Sequence, residues 1–203
     1  TDGAEIAFVW FDQSLPNPLT LASADAVGTP HTNPDFCLAC GNGLPGFARR
    51  DVGVVTFDAV PGDLPSEFAS LPSAGQVDGL KNKTPIDLIG YGVSFQAKIP
   101  ANLLPQPPPF FRWDGFGTRL YATAETISGQ FVLGAEFMKS SQNESQGKGA
   151  ACFGDSGGPI LLGGTDTVLS VNSFGPNPNC SGVGYTQRVD IPAVLSWISS
   201  FMS

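Results

Sequence analysis

The 203 residues carry 10 Lys and Arg against 18 Asp and Glu, a formal net charge of −8 at pH 7, which argues against nucleic acid and anionic membrane as partners, since both require a basic surface. Charged residues make up only 14% of the chain and hydrophobic ones 41%, with 25 Gly and 18 Pro; that mix excludes a disordered chain and points to a turn-rich, all-β globule. No apolar run reaches the roughly 18 residues of a membrane-spanning helix.

Taken in chain order, strand-like runs bounded by turn residues dominate: "EIAFVWF" (5–11), "VGVVTFDAV" (52–60), "IDLIGYGVSF" (86–95), "TRLYATAETI" (118–127), "QFVLGAEF" (130–137), "PILLGG" (159–164), "TVLSVNSFG" (167–175) and "GVGYTQRVD" (182–190). Their alternation and β-branched content predict half-buried strands. The C-terminus differs. "DIPAVLSWISSFM" predicts a helix with Asp190 as N-cap and Pro192 in its first turn, and with Ile191, Val194, Leu195, Ile198 and Phe201 on one face.

The Pro-, Gly- and Ser-rich stretch 61–85 is the best linker and divides the chain into 1–80 and 81–203. "PQPPPFF" (105–111) predicts an extended surface loop. Asn82-Lys83-Thr84 and Asn143-Glu144-Ser145 match the glycosylation sequon. The chain opens on "TDGAEIAFVWF" with no initiator Met and no signal-peptide core, so a processed or truncated product is expected.

Four cysteines, an even number, fit disulfides in an oxidising compartment. Cys37 and Cys40 form a C-x-x-C that runs into a turn, and neither a second C-x-x-C nor a second histidine completes a zinc set. A structural disulfide or inert thiols are favoured there over a redox or metal site.

"GAACFGDSGGPILLGG" (149–164) sets one serine, Ser156, among glycines. Such a pattern suits a nucleophile whose surrounding backbone must come close to a substrate. One template, the elbow of α/β-hydrolases, needs a helix after the serine and a histidine later in the chain. Here a strand-like run comes next, and the sole histidine, His31, precedes the serine. That template fails on both counts.

"CFGDSGGPIL", "SVNSFG" with Cys180 close behind, "GYTQRVD" and the terminal helix resemble the C-terminal half of a chymotrypsin/trypsin-family serine endopeptidase, while "DVGVVTFD" resembles the segment where that family's catalytic Asp begins a strand. The resemblance implies two antiparallel Greek-key β-barrels, the first incomplete here, with a C-terminal α-helix and a cleft between the barrels. It assigns Ser156 as nucleophile, Asp51 as the residue that orients an imidazole, and the N–H groups of Gly154 and Ser156 as oxyanion donors. It pairs Asp155 with an N-terminal amine, joins Cys152 to Cys180, and implies no metal and no cofactor.

His31 stands in the family's order before Asp51 and Ser156, but only 20 residues before Asp51 and within "GTPHTNPDF". This resembles the family's loop leading to the Asp strand, so His31 is expected to be a solvated loop residue. The opening residues resemble the short turn and strand just after the family's catalytic His, so the chain is expected to be a fragment that lacks normal triad catalysis on its own.

The pocket floor of the family falls on Ala150, six positions before the nucleophile, where an Asp would select Lys or Arg. Its walls fall on Ser173, Phe174, Gly175 and Gly184. Cleavage after apolar residues is therefore expected, by a secreted monomer acting on protein or peptide substrates and open to protein inhibitors. The alternative is a non-catalytic homologue that uses the same scaffold as a protein-binding module.

Overall fold

The computed structural model describes residues 3–38, 40, 48–58, 67–103, 111–127 and 135–202. Three antiparallel strands, β1 (Ala7–Val9), β2 (Ala26–Thr32) and β3 (Gly53–Thr56), form an open sheet in the order β1-β2-β3. Six others close into a barrel: β4 (Pro85–Gly90), β7 (Leu120–Thr126), β8 (Phe137–Gln142), β9 (Pro159–Leu162), β10 (Val168–Phe174) and β11 (Gly182–Arg188). Around the barrel the order is β10-β11-β8-β7-β4-β9. A hairpin of β5 (Phe95–Lys98) and β6 (Phe111–Asp114) stands beside it, and α1 (Pro192–Ser199) closes the chain. The fold is thus the all-β, chymotrypsin-like one expected, with an open sheet where the first barrel was expected to be incomplete.

Alternation explains the barrel. On β4 Ile86 and Leu88 point inward, where they pack with Ala124, Met138, Ile160 and Leu169 in one buried cluster. Each fully buried large aliphatic side chain contributes about 1.5–3 kcal/mol. Asp87, between them, faces the other way and is still only 7% exposed. It is held by Tyr121 Oη at 2.8 Å and by the Gly164 N–H at 2.8 Å.

Helix α1 joins the two sheets. Val194 is fully buried with Val52 beside β3 and Val189 just past β11, and Ile191, Trp197 and Ile198 pack around them. Of the face predicted for this helix, Ile191, Val194 and Ile198 pack in that cluster, and Trp197, outside the predicted face, joins them. The predicted cap is not used: Ile191 occupies the N-cap position, and the Asp190 carboxylate bonds Arg188 instead. A buried guanidinium needs that partner more than a helix N-terminus does.

Four strands lay essentially outside the predicted set, β8 among them, since it meets the run predicted at 130–137 only at Phe137. β2 was obscured by Pro30, and β5 and β6 are short strands of a hairpin. The run predicted at 130–137 lies largely outside the described residues, as does the Pro-rich stretch 104–110. Of the predicted linker, residues 67–84 lie against the barrel: Ser70 bridges Thr167, and the Gly75 N–H donates to the Asp190 carbonyl at 3.0 Å. Both cysteine pairs, Cys37–Cys40 and Cys152–Cys180, are disulfides.

Candidate active site

Ser156 sits on the loop before β9, where three bonds fix a tight turn. The Asp155 N–H donates to the Cys152 carbonyl (3.0 Å), the Gly158 N–H to the Asp155 carbonyl (2.9 Å) and the Gly157 N–H to the Asn172 carbonyl (2.8 Å). Gly154 adopts φ +98°, a left-handed backbone, and a Cβ there would stand 3.0 Å from both Gly92 Cα and the Phe116 ring. Only glycine combines that φ with that approach.

Asp155 anchors the turn from beneath. Its Oδ1 accepts the Gly92 N–H and its Oδ2 the Cys152 N–H, both at 2.8 Å. A side chain at Gly90 or Gly92 would strike this carboxylate, so the "GYG" of residues 90–92 exists to admit it. The Phe153 carbonyl accepts the Val93 N–H at 2.9 Å. Because a trans peptide sets C=O and N–H on opposite sides, the Gly154 N–H is turned away from Val93. Among the described residues neither this N–H nor that of Ser156 reaches a protein acceptor.

Asp51 comes from the other sheet, immediately before β3. Its N–H donates to Gln187 Oε1 at 3.1 Å, and its Oδ2 accepts from Ser173 Oγ at 2.6 Å. Arg49 and Arg50, the cations next to it in sequence, pair with Glu136 instead (3.1 and 3.2 Å). Ser173 lies on β10, so Asp51 is tied directly to the strand that borders the serine.

His31 is not the solvated loop residue expected. It is a half-buried residue of β2, paired in register with Val54. Its Nε2 lies 2.8 Å from Thr56 Oγ1, and its ring packs on Phe201 at 4.7 Å. The pairing of β2 with β3 holds His31 against Phe201, just past the end of α1. It does not line the cavity at Ser156.

That cavity, about 400 Å³, is bordered by Ser156, Ser173, Phe174 and Gly175 among the predicted residues. Ala150 borders a second cavity of about 230 Å³, together with Asp155 and Gly92. Gly184 lies on β11 opposite Ser140 with its Cα against the Gln142 side chain. Sequence reasoning missed Gln142, Asn172 and Val183, all of which line the first cavity. The alternate glycines 182 and 184 on β11 were the available signal, since a strand kept bare on one face leaves room for a large side chain opposite. No cluster of three or more metal-ligating side chains occurs among the described residues, and no helix there is long and apolar enough to cross a membrane.

The family model described as Trypsin matches residues 119–198. No curated protein matches the chain. Among solved structures, human heparin binding protein is similar, with a TM-score of 0.55 at 16% identity over 86% of this chain. This chain spans 66% of that protein's length, just short of two thirds. HL collagenase matches with a TM-score of 0.54 at 18% identity, over 89% of this chain and 71% of its own. An inactivated protease paralogue of the scabies mite gives a TM-score of 0.52 at 15% identity, over 82% and 65%. At these identities the likeness shows a shared fold.

Proposed function

We propose that this chain, whose residues 119–198 match the family model described as Trypsin, serves as a serine-type endopeptidase, hydrolysing peptide bonds through an acyl-enzyme at Ser156. The Ser156 hydroxyl attacks the scissile carbonyl, and the uncommitted N–H groups of Gly154 and Ser156 receive the developing oxyanion. Losing one such donor typically costs roughly 2.7–4 kcal/mol of barrier. The backbone of Ser173–Gly175 pairs with the substrate as an added strand. The Ser156 cavity has no charged lining residue among those described, which supports cleavage after an uncharged residue over cleavage after Lys or Arg.

The observation that carries this reading is the 2.6 Å bond from Ser173 to Asp51. It spans 122 residues of sequence and brings a carboxylate to the edge of the serine's cavity, where Asp51 orients an imidazole and stabilises its charged form. The domain division at residue 80 accords with it: one unit supplies Asp51 and the other supplies Ser156. Two disulfides among four cysteines support a secreted protein. A monomer acting on protein or peptide substrates, and subject to protein inhibitors, completes the proposal.

The test is labelling of Ser156 by a fluorophosphonate probe in the protein as expressed from its gene. Labelling that phenylmethylsulfonyl fluoride competes away and Ser156→Ala abolishes is the expected result. Asp51→Asn should slow labelling by up to about 10⁴-fold, since it removes the charge that supports the imidazolium. One observation favours a second reading, a non-catalytic protein-binding module: the only histidine of these 203 residues is engaged by Thr56 and Phe201. Absence of labelling in a folded protein selects that reading.

A further inference from the structure

Two buried carboxamides line the cavity that holds Ser156, and each keeps polar atoms that no protein partner takes up. Gln142 is 4% exposed and Asn172 8%. Gln142 Nε2 donates to Ser140 Oγ at 3.3 Å, and Ser140 Oγ donates to the Gly184 carbonyl at 3.4 Å. Ser140 has one proton and a carbonyl can only accept, so the Gln142 NH₂ faces Ser140 and its Oε1 is turned elsewhere. Both bonds are long for their type.

Among the described residues no hydrogen bond reaches Gln142 Oε1 or the Asn172 carboxamide. Among the described residues, the sealed side-chain atoms that make no hydrogen bond are Trp10 Nε1, Arg50 Nη1 and Glu136 Oε2, the last two being ion-paired with each other. The free carboxamide atoms of Gln142 and Asn172 are therefore not sealed in protein; Gln142 lines this cavity, and Asn172 lines both it and the second cavity beside Asp155. Gly184 makes this possible: a Cβ there would come within 2.6 Å of Gln142 Cδ.

The same cavity has apolar sides, from Phe153, Pro176, Pro178, Val183 and Tyr185. Its volume is within the range that buries a small organic group, roughly 300–1,000 Å³. A wholly apolar occupant would leave the carboxamides dry and unpaired, which is unfavourable. A charged one would find no counter-charge. The occupant that suits both walls and carboxamides has an apolar body and a neutral hydrogen-bonding tip.

We propose that Gln142, with Asn172, determines specificity in this cavity, and that the substrate residue before the scissile bond is tyrosine in preference to phenylalanine. This rests on the endopeptidase reading of Ser156 and narrows the expectation of an apolar residue to one with a hydroxyl at its end.

Two peptide substrates identical except for Tyr or Phe at that position read the inference. The kcat/KM for Tyr should exceed that for Phe by at least about tenfold, because a site built around a hydrogen bond discriminates against the analogue that lacks it. Gln142→Met should bring the ratio close to one. Equal rates in the wild-type protein, or a Tyr preference undiminished in Gln142→Met, overturn the inference and leave the protease reading intact. Cleavage of neither substrate together with no fluorophosphonate labelling overturns the protease reading itself. The cavity is then read by NMR titration of the wild-type protein with p-cresol and toluene, which depends on neither catalysis nor the folding of a variant. Tighter p-cresol binding by at least about tenfold supports the carboxamide site, and equal affinities overturn it.

Discussion

Arg188 and Asp190 face each other through two hydrogen bonds, Nε to Oδ1 at 2.8 Å and Nη2 to Oδ2 at 2.7 Å, with both side chains shut away from water. The Val77 N–H adds a bond to Asp190 Oδ2 at 2.8 Å, and Asp78 takes Arg188 Nη1 at 2.7 Å. One ion pair at the end of β11 thus fastens residues 77 and 78 to the barrel. Removing a single partner of such a pair leaves a buried charge. We expect Arg188→Met to cost roughly 3–5 kcal/mol in urea unfolding, and the double variant Arg188→Met/Asp190→Leu to cost less than Arg188→Met alone. The hydrogen bond from Arg188 also holds the Asp78 carboxyl below its usual range. Its contribution is present above the unfolded carboxylate pKa and is lost as pH falls through the lower folded one. Because Asp78 is mostly exposed, that acid limb should flatten in high salt.

Gly154 and Gly157 separate geometry from function in the serine loop. Both have positive φ, +98° and +79°, but a Cβ at Gly157 meets open space whereas one at Gly154 meets Gly92 and Phe116. Gly157→Ala should lose about 1–2 kcal/mol of stability and keep fluorophosphonate labelling within a few-fold. Gly154→Ala should slow labelling by about 10²-fold or more, because it displaces an oxyanion donor. Equal labelling rates for the two variants would show that the Gly154 N–H takes no part.

The two disulfides should differ in worth. Cys152–Cys180 closes a separation of 28 residues and Cys37–Cys40 one of 3. Loop-closure entropy then predicts roughly 3–4 kcal/mol for the first and about 2 for the second. Paired Cys→Ser variants compared by thermal unfolding check the order. The larger loss should come with a loss of ligand binding in the Ser156 cavity, which Cys152 and Cys180 both line.

Tyr121 gives the alkaline side its own signature. Its hydrogen bond to Asp87, with some burial and the nearby negative charge, holds the phenol above its ordinary value. A raised folded pKa contributes stability that is complete below the unfolded phenol pKa of about 10 and is lost as pH rises through the folded one. Denaturation measured from neutral pH upward should therefore decline more steeply above about pH 10 for the wild-type protein than for Tyr121→Phe. Parallel curves would remove Asp87–Tyr121 from the account.

Much of the barrel was legible because its strands obey a local rule. Ile86 and Leu88 alternate with Asp87, and that period appears in the sequence before any partner strand is known. Strand β2 was not legible, since Pro30 removes a donor and reads as a breaker. The structure keeps it because β2 still pairs on both sides, with β1 and β3. Asp190 was misread as a cap for a related reason. Capping is decided within four residues, whereas its true partners include Val77 and, through Arg188, Asp78.

By itself the sequence determined the all-β class, the apolar face of α1, and the glycine-framed loop that presents Ser156, because each depends on residues near in the chain. Tertiary structure alone decided that Asp51 bonds Ser173, that His31 rests on Phe201, and that Gln142 rather than Ala150 lines the cavity beside Ser156. Each of these is a meeting of residues far apart in the chain, a strand residue in each case with one from a segment next to another strand or the helix. Sheet register and barrel closure set such meetings, and no local pattern of side chains encodes them.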